Sequence, residues 1–270
     1  MEKHTAIDPK IIAAAERQMR NWVLAEQLAK RQAGGEPSGS RPPVGSYISI
    51  SREAGARGGE IAELVGRELG WEVLDKTLLD VIANRYQLSR AMLELVDETE
   101  VSWTYDVLGT FFDSHIIPHE KYLIRLARIV RLAGRRGNVV IVGRGAHFLL
   151  PRAQGLAVRV IASEKYRAQV LKERFGCDAA EARRAMIEMD RGRAEFVKRF
   201  FHHDIADPRL YDMVLDIERL GLSATAALII KARQEQVRRA AAETLPSREP
   251  SADVGPQAAP AASAAATAHR

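Results

Sequence analysis

A short apolar strand, a glycine-rich loop and an amphipathic helix follow one another between Tyr47 and Gly70. β-Favouring residues at the start of this stretch predict the strand, and apolar residues at helical spacing from Ile61 to Leu69 predict the helix. The loop between them has three glycines, which permit a tight turn: Gly55, Gly58 and Gly59. Such a loop can point backbone N–H groups at a phosphate, and the next helix adds partial positive charge. The stretch therefore predicts an anion-binding site.

The loop departs from the ordinary phosphate-binding pattern, which is Gly-x-x-x-x-Gly-Lys-Ser/Thr. Gly58 stands where that pattern has its lysine, and Gly59 and Glu60 follow it where the hydroxyl that binds Mg²⁺ is expected, so the loop has no lysine and no hydroxyl at these places. A glycine turn between a strand and a helix is also an ordinary connection. The motif alone is therefore compatible with a phosphate site and with a simple connector.

Strands and helices alternate along most of the chain. Strands are predicted near residues 47, 72, 139, 157 and 213, with helices over 77–86, 122–132, 164–175 and 223–239. A further helix is predicted over 89–98, and residues 101–119 are predicted to form an insert over one edge of the sheet. The alternation predicts a three-layer α/β/α domain around a mostly parallel sheet of about five strands.

Two polar side chains follow predicted strands, at the edge where such sheets bind their ligands. Asp75 follows the second strand, and Arg144 follows the third strand between Gly143 and Gly145. Asp75 is equally well placed to cap the next helix, and Arg144 to form a structural salt bridge. Because both residues share one edge with the glycine loop, the three features together favour a ligand-binding crevice.

A long and highly charged helix is predicted from Asp178 to about Phe201. Runs of charge are usually solvated helix faces, and this run is compatible with that reading. The sequence His202-His203-Asp204 follows it, but adjacent histidines point apart on a helix and do not predict a metal site.

The two ends of the chain differ from its middle. A helix of about 24 residues is predicted to begin at Asp8-Pro9 and to place Met19, Trp22 and Val23 on one face. This apolar stripe must be covered by the main domain or by a second copy of the chain. The predicted organisation is an N-terminal helix and linker over 1–45, the α/β domain over 46–243, and a disordered Ala/Pro-rich tail over 244–270.

Composition narrows the partners. The formal net charge of +5 favours anionic partners, which include nucleotides, nucleic acids and acidic surfaces. A nucleic-acid binder would explain the charge but not Asp75 or the glycine loop, so nucleic acid is an unlikely partner. No run approaches the roughly 18 apolar residues that a membrane span needs, and no secretory signal is apparent at the start. With a single cysteine, Cys177, the chain is expected in the cytoplasm.

Five segments of the chain resemble the cytidylate-kinase-like family, a branch of the P-loop nucleoside monophosphate kinases. The resemblance covers about residues 47–232. It rests on residues 48–62 (ISISREAGARGGEIA), 74–76 (LDK), 140–144 (VIVGR), 189–196 (MDRGRAEF) and 207–212 (DPRLYD). The resemblance implies a P-loop kinase fold with a helical lid over about residues 178–205.

The resemblance also implies a function, the transfer of a phosphoryl group from ATP to CMP, dCMP or a related nucleotide with Mg²⁺ as cofactor. The basic lid would stabilise the transferring group through Arg191, Arg193 and Arg199, and the acceptor would contact Asp75, Arg144 and Asp190. The loop residues that would bind ATP are Gly55, Ala56, Arg57, Gly58, Gly59 and Glu60.

The missing lysine leaves alternatives open. Arg57 or Lys76 would have to replace it, and the Glu60 carboxylate could hold Mg²⁺ in place of the hydroxyl. Gly145 also stands where cytidylate kinases have an aspartate after the arginine. A second hypothesis is therefore a non-catalytic nucleotide-binding or regulatory protein with a degenerate loop. Self-association through the N-terminal helix is a further expectation.

Overall fold

The computed structural model describes residues 8–32, 45–85 and 118–244. The helix predicted over 89–98 and the predicted linker lie outside these residues. So do the predicted insert, apart from residues 118 and 119, and the predicted tail, apart from residue 244.

Five strands form one parallel sheet in the spatial order β2-β3-β1-β4-β5. The strands are β1 (Tyr47–Arg52), β2 (Glu72–Leu74), β3 (Val139–Val142), β4 (Gly155–Ile161) and β5 (Met213–Asp216). β1 is central and pairs with β3 on one side and β4 on the other. The predicted α/β fold with a parallel sheet of five strands is confirmed. All five carboxyl ends lie at the same edge of the sheet, which is where the loop that follows β1 lies.

Helices cover both faces of the sheet. They are α1 (Pro9–Gln32), α2 (Gly58–Leu69), α3 (Lys76–Arg85), α4 (Pro118–Arg136), α5 (Ala146–Leu149), α6 (Glu164–Phe175), α7 (Ala179–Phe201) and α8 (Ile217–Thr244). Local sequence signals set several ends: Asp178 and Glu181 form a capping box at the start of α7, and Gly176 ends α6 at φ 63°.

The last helix differs from its prediction. It was expected to begin at Ser223, whereas α8 begins at Ile217 and kinks at Gly221, where φ is 75°. The chain forms two compact units, divided between Gln234 and Glu235. In the second unit the structure describes the end of α8, where Arg238 forms an ion pair with Glu235.

The alternation of side chains along each strand divides the core between the two faces. On one face, Ile141 of β3 packs with residues of α1, α3 and α4. On the other face, Val140 and Val142 pack with residues of α2 and α8. The predicted third strand is therefore buried on both sides, as a continuous apolar run in a parallel sheet should be.

The main domain covers the apolar stripe of α1. Ala15, Met19 and Trp22 are buried in the cluster that α1 forms with α3, α4 and one face of the sheet. A polar contact fixes the same helix, since Gln18 Nε2 donates to Glu72 at 2.7 Å. The sequence allowed either the main domain or a second copy of the chain to cover the stripe, and the structure shows the main domain.

Candidate functional site

The glycine loop joins the carboxyl end of β1 to the first turn of α2. Gly55 has φ 79°, and a Cβ atom there would overlap the backbone oxygen of Arg167, so this position requires glycine. Arg57, the residue before α2, also lies in the left-handed region at φ 52°. Among the described residues no side chain caps the start of α2. Its first N–H groups and its helix dipole are therefore directed at the crevice, as an anion site requires.

Arg57 and Glu60 bind each other on the first turn of α2. Arg57 Nε donates to Glu60 Oε1 at 3.0 Å, and its Nη2 donates to Oε2 at 2.6 Å. The hydrogen bond raises the pKa of Arg57 and lowers that of Glu60. The predicted catalytic cation and the predicted metal ligand are thus engaged with one another, and the Nη1 side of Arg57 is the part of its guanidinium that Glu60 leaves for a ligand.

Gly58 packs so closely against Arg52 that a lysine at this position would overlap it. A Cβ atom at Gly58 would lie 2.7 Å from the Cβ and 2.8 Å from the Cγ of Arg52, whereas a Cβ at Gly59 would meet nothing within 4 Å.

We expect Gly58→Ala to lower the free energy of unfolding by about 1–2 kcal/mol, because overpacking near the backbone forces β1 and α2 to shift. Chemical denaturation measures this. Gly59→Ala is the matched control and should be neutral or stabilising, and equal losses in both variants would contradict the packing argument.

Four cations gather at the carboxyl edge of the sheet: Arg52, Lys76, Arg144 and Arg193. The pKa of Arg52 is lowered to about 10, first by burial and then by the neighbouring Arg193 and Arg144. Burial also lowers the pKa of Lys76, with Arg144 as the next cause. Arg144 pairs with Asp80 and Arg193 lies 3.5 Å from Asp190, whereas the pKa values of Arg52 and Lys76 are both lowered by neighbouring cations. Positive charge concentrated in this way favours the binding of an anion.

Arg144 lies at this edge with its backbone at φ 54°, between two glycines that are also left-handed. Its Nε donates to Asp80 Oδ1 at 2.9 Å and its Nη2 forms an ion pair with Asp80 Oδ2. Tyr122 donates to the same carboxylate at 2.6 Å. The salt bridge that the sequence left open is thus present, and its partner, Asp80 of α3, was not predicted. Two of the five guanidinium N–H groups point at Asp80, which leaves the Nη1 side for a ligand.

Asp75 caps α3, since the Leu78 N–H donates to Asp75 Oδ1 at 2.7 Å. This is the simpler of the two roles that the sequence allowed. Its side chain is exposed at the same edge as Arg144. A contact with the acceptor remains a prediction.

Asp190 ties α7 to the glycine loop. Its Oδ1 accepts the Ala54 N–H at 2.7 Å, and its Oδ2 forms an ion pair with Arg167 of α6. Arg193, one turn further along α7, donates from Nη1 to the Arg52 carbonyl at 3.0 Å. Both carboxylate oxygens of Asp190 are thus occupied by protein. Its geometry is that of an anchor, and its predicted contact with the acceptor remains a prediction.

A second carboxylate supports the same anchor. Glu53 Oε2 accepts the Ala162 N–H at 3.2 Å and lies 3.3 Å from Arg167 Nε. Arg159 Nη2 lies 3.8 Å from Glu53 Oε1. These partners are far apart in sequence and were not predicted. The loop is therefore held by buried charges from β4, α6 and α7.

The three predicted lid arginines lie in different surroundings. Arg193 reaches the loop, whereas Arg191 is 69% exposed and pairs with Glu195 at 3.7 Å. Arg199 lies over the Phe200 ring at 5.3 Å. It helps to line a cleft of about 430 Å³ on α7, with Gly192, Glu195, Phe196, Lys198 and Phe200. Of the three predicted cations, the structure brings only Arg193 into the crevice.

The sheet order, the loop after its central strand and the charged crevice together define an α/β protein of the P-loop kinase-like class. Residues 47–219 match the cytidylate kinase-like family, which is more than half of the chain, and the chain belongs to this family. The predicted family is confirmed.

Two known proteins show how far the similarity extends. A cytidylate kinase from Methanopyrus kandleri is 29% identical over 115 residues, which are 39% of this chain and 60% of that relative. The chain thus matches less than two thirds of the relative's length. A crystal structure of an uncharacterized protein from Eubacterium ventriosum has a TM-score of 0.59 and 23% identity, covering 70% of this chain and 98% of that one. This second likeness concerns the fold.

Among the residues that the structure describes, no helix has the length and apolar character needed to cross a bilayer. Nor do these residues place three or more His, Cys, Asp or Glu side chains together as ligands for a metal ion.

Proposed function

We propose that the protein is a nucleoside monophosphate kinase that transfers a phosphoryl group from ATP to CMP, dCMP or a related nucleotide. The observation that carries this proposal is the group of four cations between the glycine loop and the Asp75–Arg144 edge. Two anionic substrates that meet there would bring the charge that this group lacks. Membership of the cytidylate kinase-like family supports a kinase-like role on nucleotides.

The described residues divide the work that phosphoryl transfer requires, which is alignment, exclusion of water and neutralisation of charge. The loop and the uncapped start of α2 would bind the donor phosphates through backbone N–H groups. Arg144 would bind the acceptor phosphate with the side of its guanidinium that Asp80 leaves open. Arg193, which donates to the backbone at Arg52, would keep α7 over the transferring group.

Mg²⁺ would enter this site as part of the ATP substrate. Such an ion is commonly held by substrate phosphates, waters and one or two carboxylates rather than by an all-protein cage. Glu60, on the first turn of α2, is the carboxylate that would help to hold the ion. It would share its oxygens between the ion and Arg57, or release Arg57.

The loop also motivates a second candidate, a nucleotide-binding or regulatory protein without turnover. The ordinary loop uses a lysine and the hydroxyl of the next residue for catalysis, and Gly58-Gly59-Glu60 contains neither. A coupled assay with ATP, Mg²⁺ and each nucleoside monophosphate in turn distinguishes the two candidates. Turnover with CMP or dCMP is expected. ATP binding without turnover for any acceptor would reject the kinase and favour the second candidate.

Arg144→Ala should weaken binding of the nucleoside monophosphate by at least about tenfold and ATP binding by less than about twofold. The reason is that Arg144 lies at the end of β3, across from the donor loop, where its guanidinium can hold the acceptor phosphate. Isothermal titration calorimetry with each nucleotide measures both affinities.

Asp80→Asn is the matched variant for Arg144→Ala, because it breaks the same salt bridge and keeps the guanidinium. It should preserve acceptor binding better than Arg144→Ala does. Equal losses of melting temperature in both variants, with unchanged affinity for the acceptor, would show that Arg144 is structural.

A further inference from the structure

We infer that Arg52 is the residue that replaces the missing lysine, and that its guanidinium contacts the terminal phosphate of the donor nucleotide. The inference rests on the proposed function for the identity of that donor. Arg52 is the last residue of β1 and was not among the residues predicted from the sequence.

Arg52 occupies the space beside the start of α2. A side chain at Gly58 would begin 2.7 Å from Arg52 Cβ and 2.8 Å from Arg52 Cγ. The aliphatic part of Arg52 therefore fills the place that a lysine at position 58 would need. A lysine at 58 and an arginine at 52 would therefore compete for the same space, and the glycine at 58 makes room for Arg52.

The guanidinium of Arg52 lies against Gly143. A Cβ atom on Gly143 would overlap Arg52 Nη1 and would lie 3.3 Å from its Cζ. The charged end of Arg52 thus lies across the end of β3, directly before Arg144. The side chain runs from the donor loop to the acceptor edge, along the line on which a phosphoryl group would be transferred. It passes a glycine at each end, and a side chain at either position would force Arg52 to shift.

The charge of Arg52 lies among other positive charges. Arg52 lies near Arg193 and Arg144, and the two nearby carboxylates have other partners, since Asp75 caps α3 and Asp190 holds Ala54 and Arg167. Within the described ranges no side chain or carbonyl accepts a hydrogen bond from the Arg52 guanidinium. A mostly buried cation beside other cations is costly unless an anion joins it. A phosphate oxygen at this point would be that anion.

The two residues that the sequence suggested instead are less well placed. Arg57 is held by both oxygens of Glu60 on the surface of α2. Lys76 begins α3 after β2, and β3 separates that strand from β1 in the sheet. Arg52 alone among the three touches both the start of α2 and the end of β3.

The experiment measures binding of inorganic tripolyphosphate and of ATP by calorimetry, so that it does not depend on turnover. Arg52→Gln should weaken binding of tripolyphosphate by at least about tenfold, and Arg52→Lys should weaken it less. The double variant Arg52→Gly/Gly58→Lys restores the first glycine and the lysine of the ordinary loop and should recover affinity to within about threefold of the wild type. Should Arg52→Gln fail to fold, Arg52→Lys and the double variant carry the comparison.

Arg183→Gln is the control for the loss of one positive charge, because Arg183 is 65% exposed and pairs with Glu164. It should change the affinity by less than about twofold. Unchanged tripolyphosphate binding in Arg52→Gln would overturn the inference and leave the kinase proposal standing. A wild type that does not bind tripolyphosphate would overturn both. Loss of binding in Arg52→Gln and its recovery in the double variant, without turnover on any acceptor, would support the inference and reject the kinase.

Discussion

Replacing Trp22 by alanine should lower the free energy of unfolding by about 3–5 kcal/mol without changing the mass of the protein in solution. Trp22 is only 2% exposed and is packed with Ala15 and Met19 in the cluster that α1 forms with α3, α4 and the sheet. Removing a large aromatic side chain leaves a cavity that its rigid neighbours fill only in part. The loss is therefore the transfer free energy of the ring plus the cost of the cavity.

Urea denaturation measures the stability of the Trp22 variant, and light scattering measures its mass. Leu24→Ala is the matched control on the same helix, because Leu24 is 57% exposed and its truncation should cost less than about 0.5 kcal/mol. A change of mass in the Trp22 variant with little loss of stability would contradict the structure. It would mean that a second copy of the chain covers the apolar stripe in solution.

The layers of this fold could be predicted from the sequence because buried faces of strands and helices place apolar residues at regular spacings. The apolar run of β3 predicts a strand buried on both faces, and its alternate residues do pack on opposite faces of the sheet. The crevice followed from the same reasoning, because parallel strands bring their carboxyl ends to one edge. Periodicity, however, carries no information about which side chains meet across that edge.

The partners of the charged residues were therefore beyond prediction. Arg144 pairs with Asp80, and Asp190 pairs with the backbone of Ala54, across 64 and 136 residues of sequence. Such pairs depend on how helices pack against the sheet, which the sequence does not specify locally. Asp75 is the opposite case, since a cap is a local contact and was predicted correctly as one alternative.

For a related reason, Arg52 was not predicted. Arg57 was predicted to replace the lysine because it is the cation nearest to Gly58 in sequence, and that role stays a prediction. Arg57 precedes the first turn of α2, and its side chain follows the helix surface to Glu60, three residues on. Arg52 ends a strand and its side chain crosses the loop instead. The sequence nonetheless contained a signal for Arg52, because it lies at the end of a predicted strand, and the same kind of position favoured Arg144.

Asp190→Asn should lower the free energy of unfolding by about 2–3 kcal/mol. The carboxylate joins the loop to α6 and α7 through Ala54 and Arg167, and the Arg167 side chain is only 9% exposed. Asparagine keeps one acceptor oxygen for the Ala54 N–H but removes the charge beside Arg167. Glu53 still lies 3.3 Å from Arg167 Nε, so the loss should be smaller than for a guanidinium left with no carboxylate at all.

Arg191→Gln is the control for Asp190→Asn, since its side chain is exposed on the same helix and its pair with Glu195 should contribute less than about 0.5 kcal/mol. Denaturation curves and acceptor affinity should be measured on both variants. If Asp190→Asn lowers acceptor affinity while stability is unchanged, Asp190 binds the acceptor and α7 moves as the predicted lid. If stability falls and the affinity of the folded variant is preserved, α7 is a fixed wall of the crevice. In that case closure over the substrates must come from another part of the chain, because α7 could leave the loop only by exposing the charge of Arg167 without its partner.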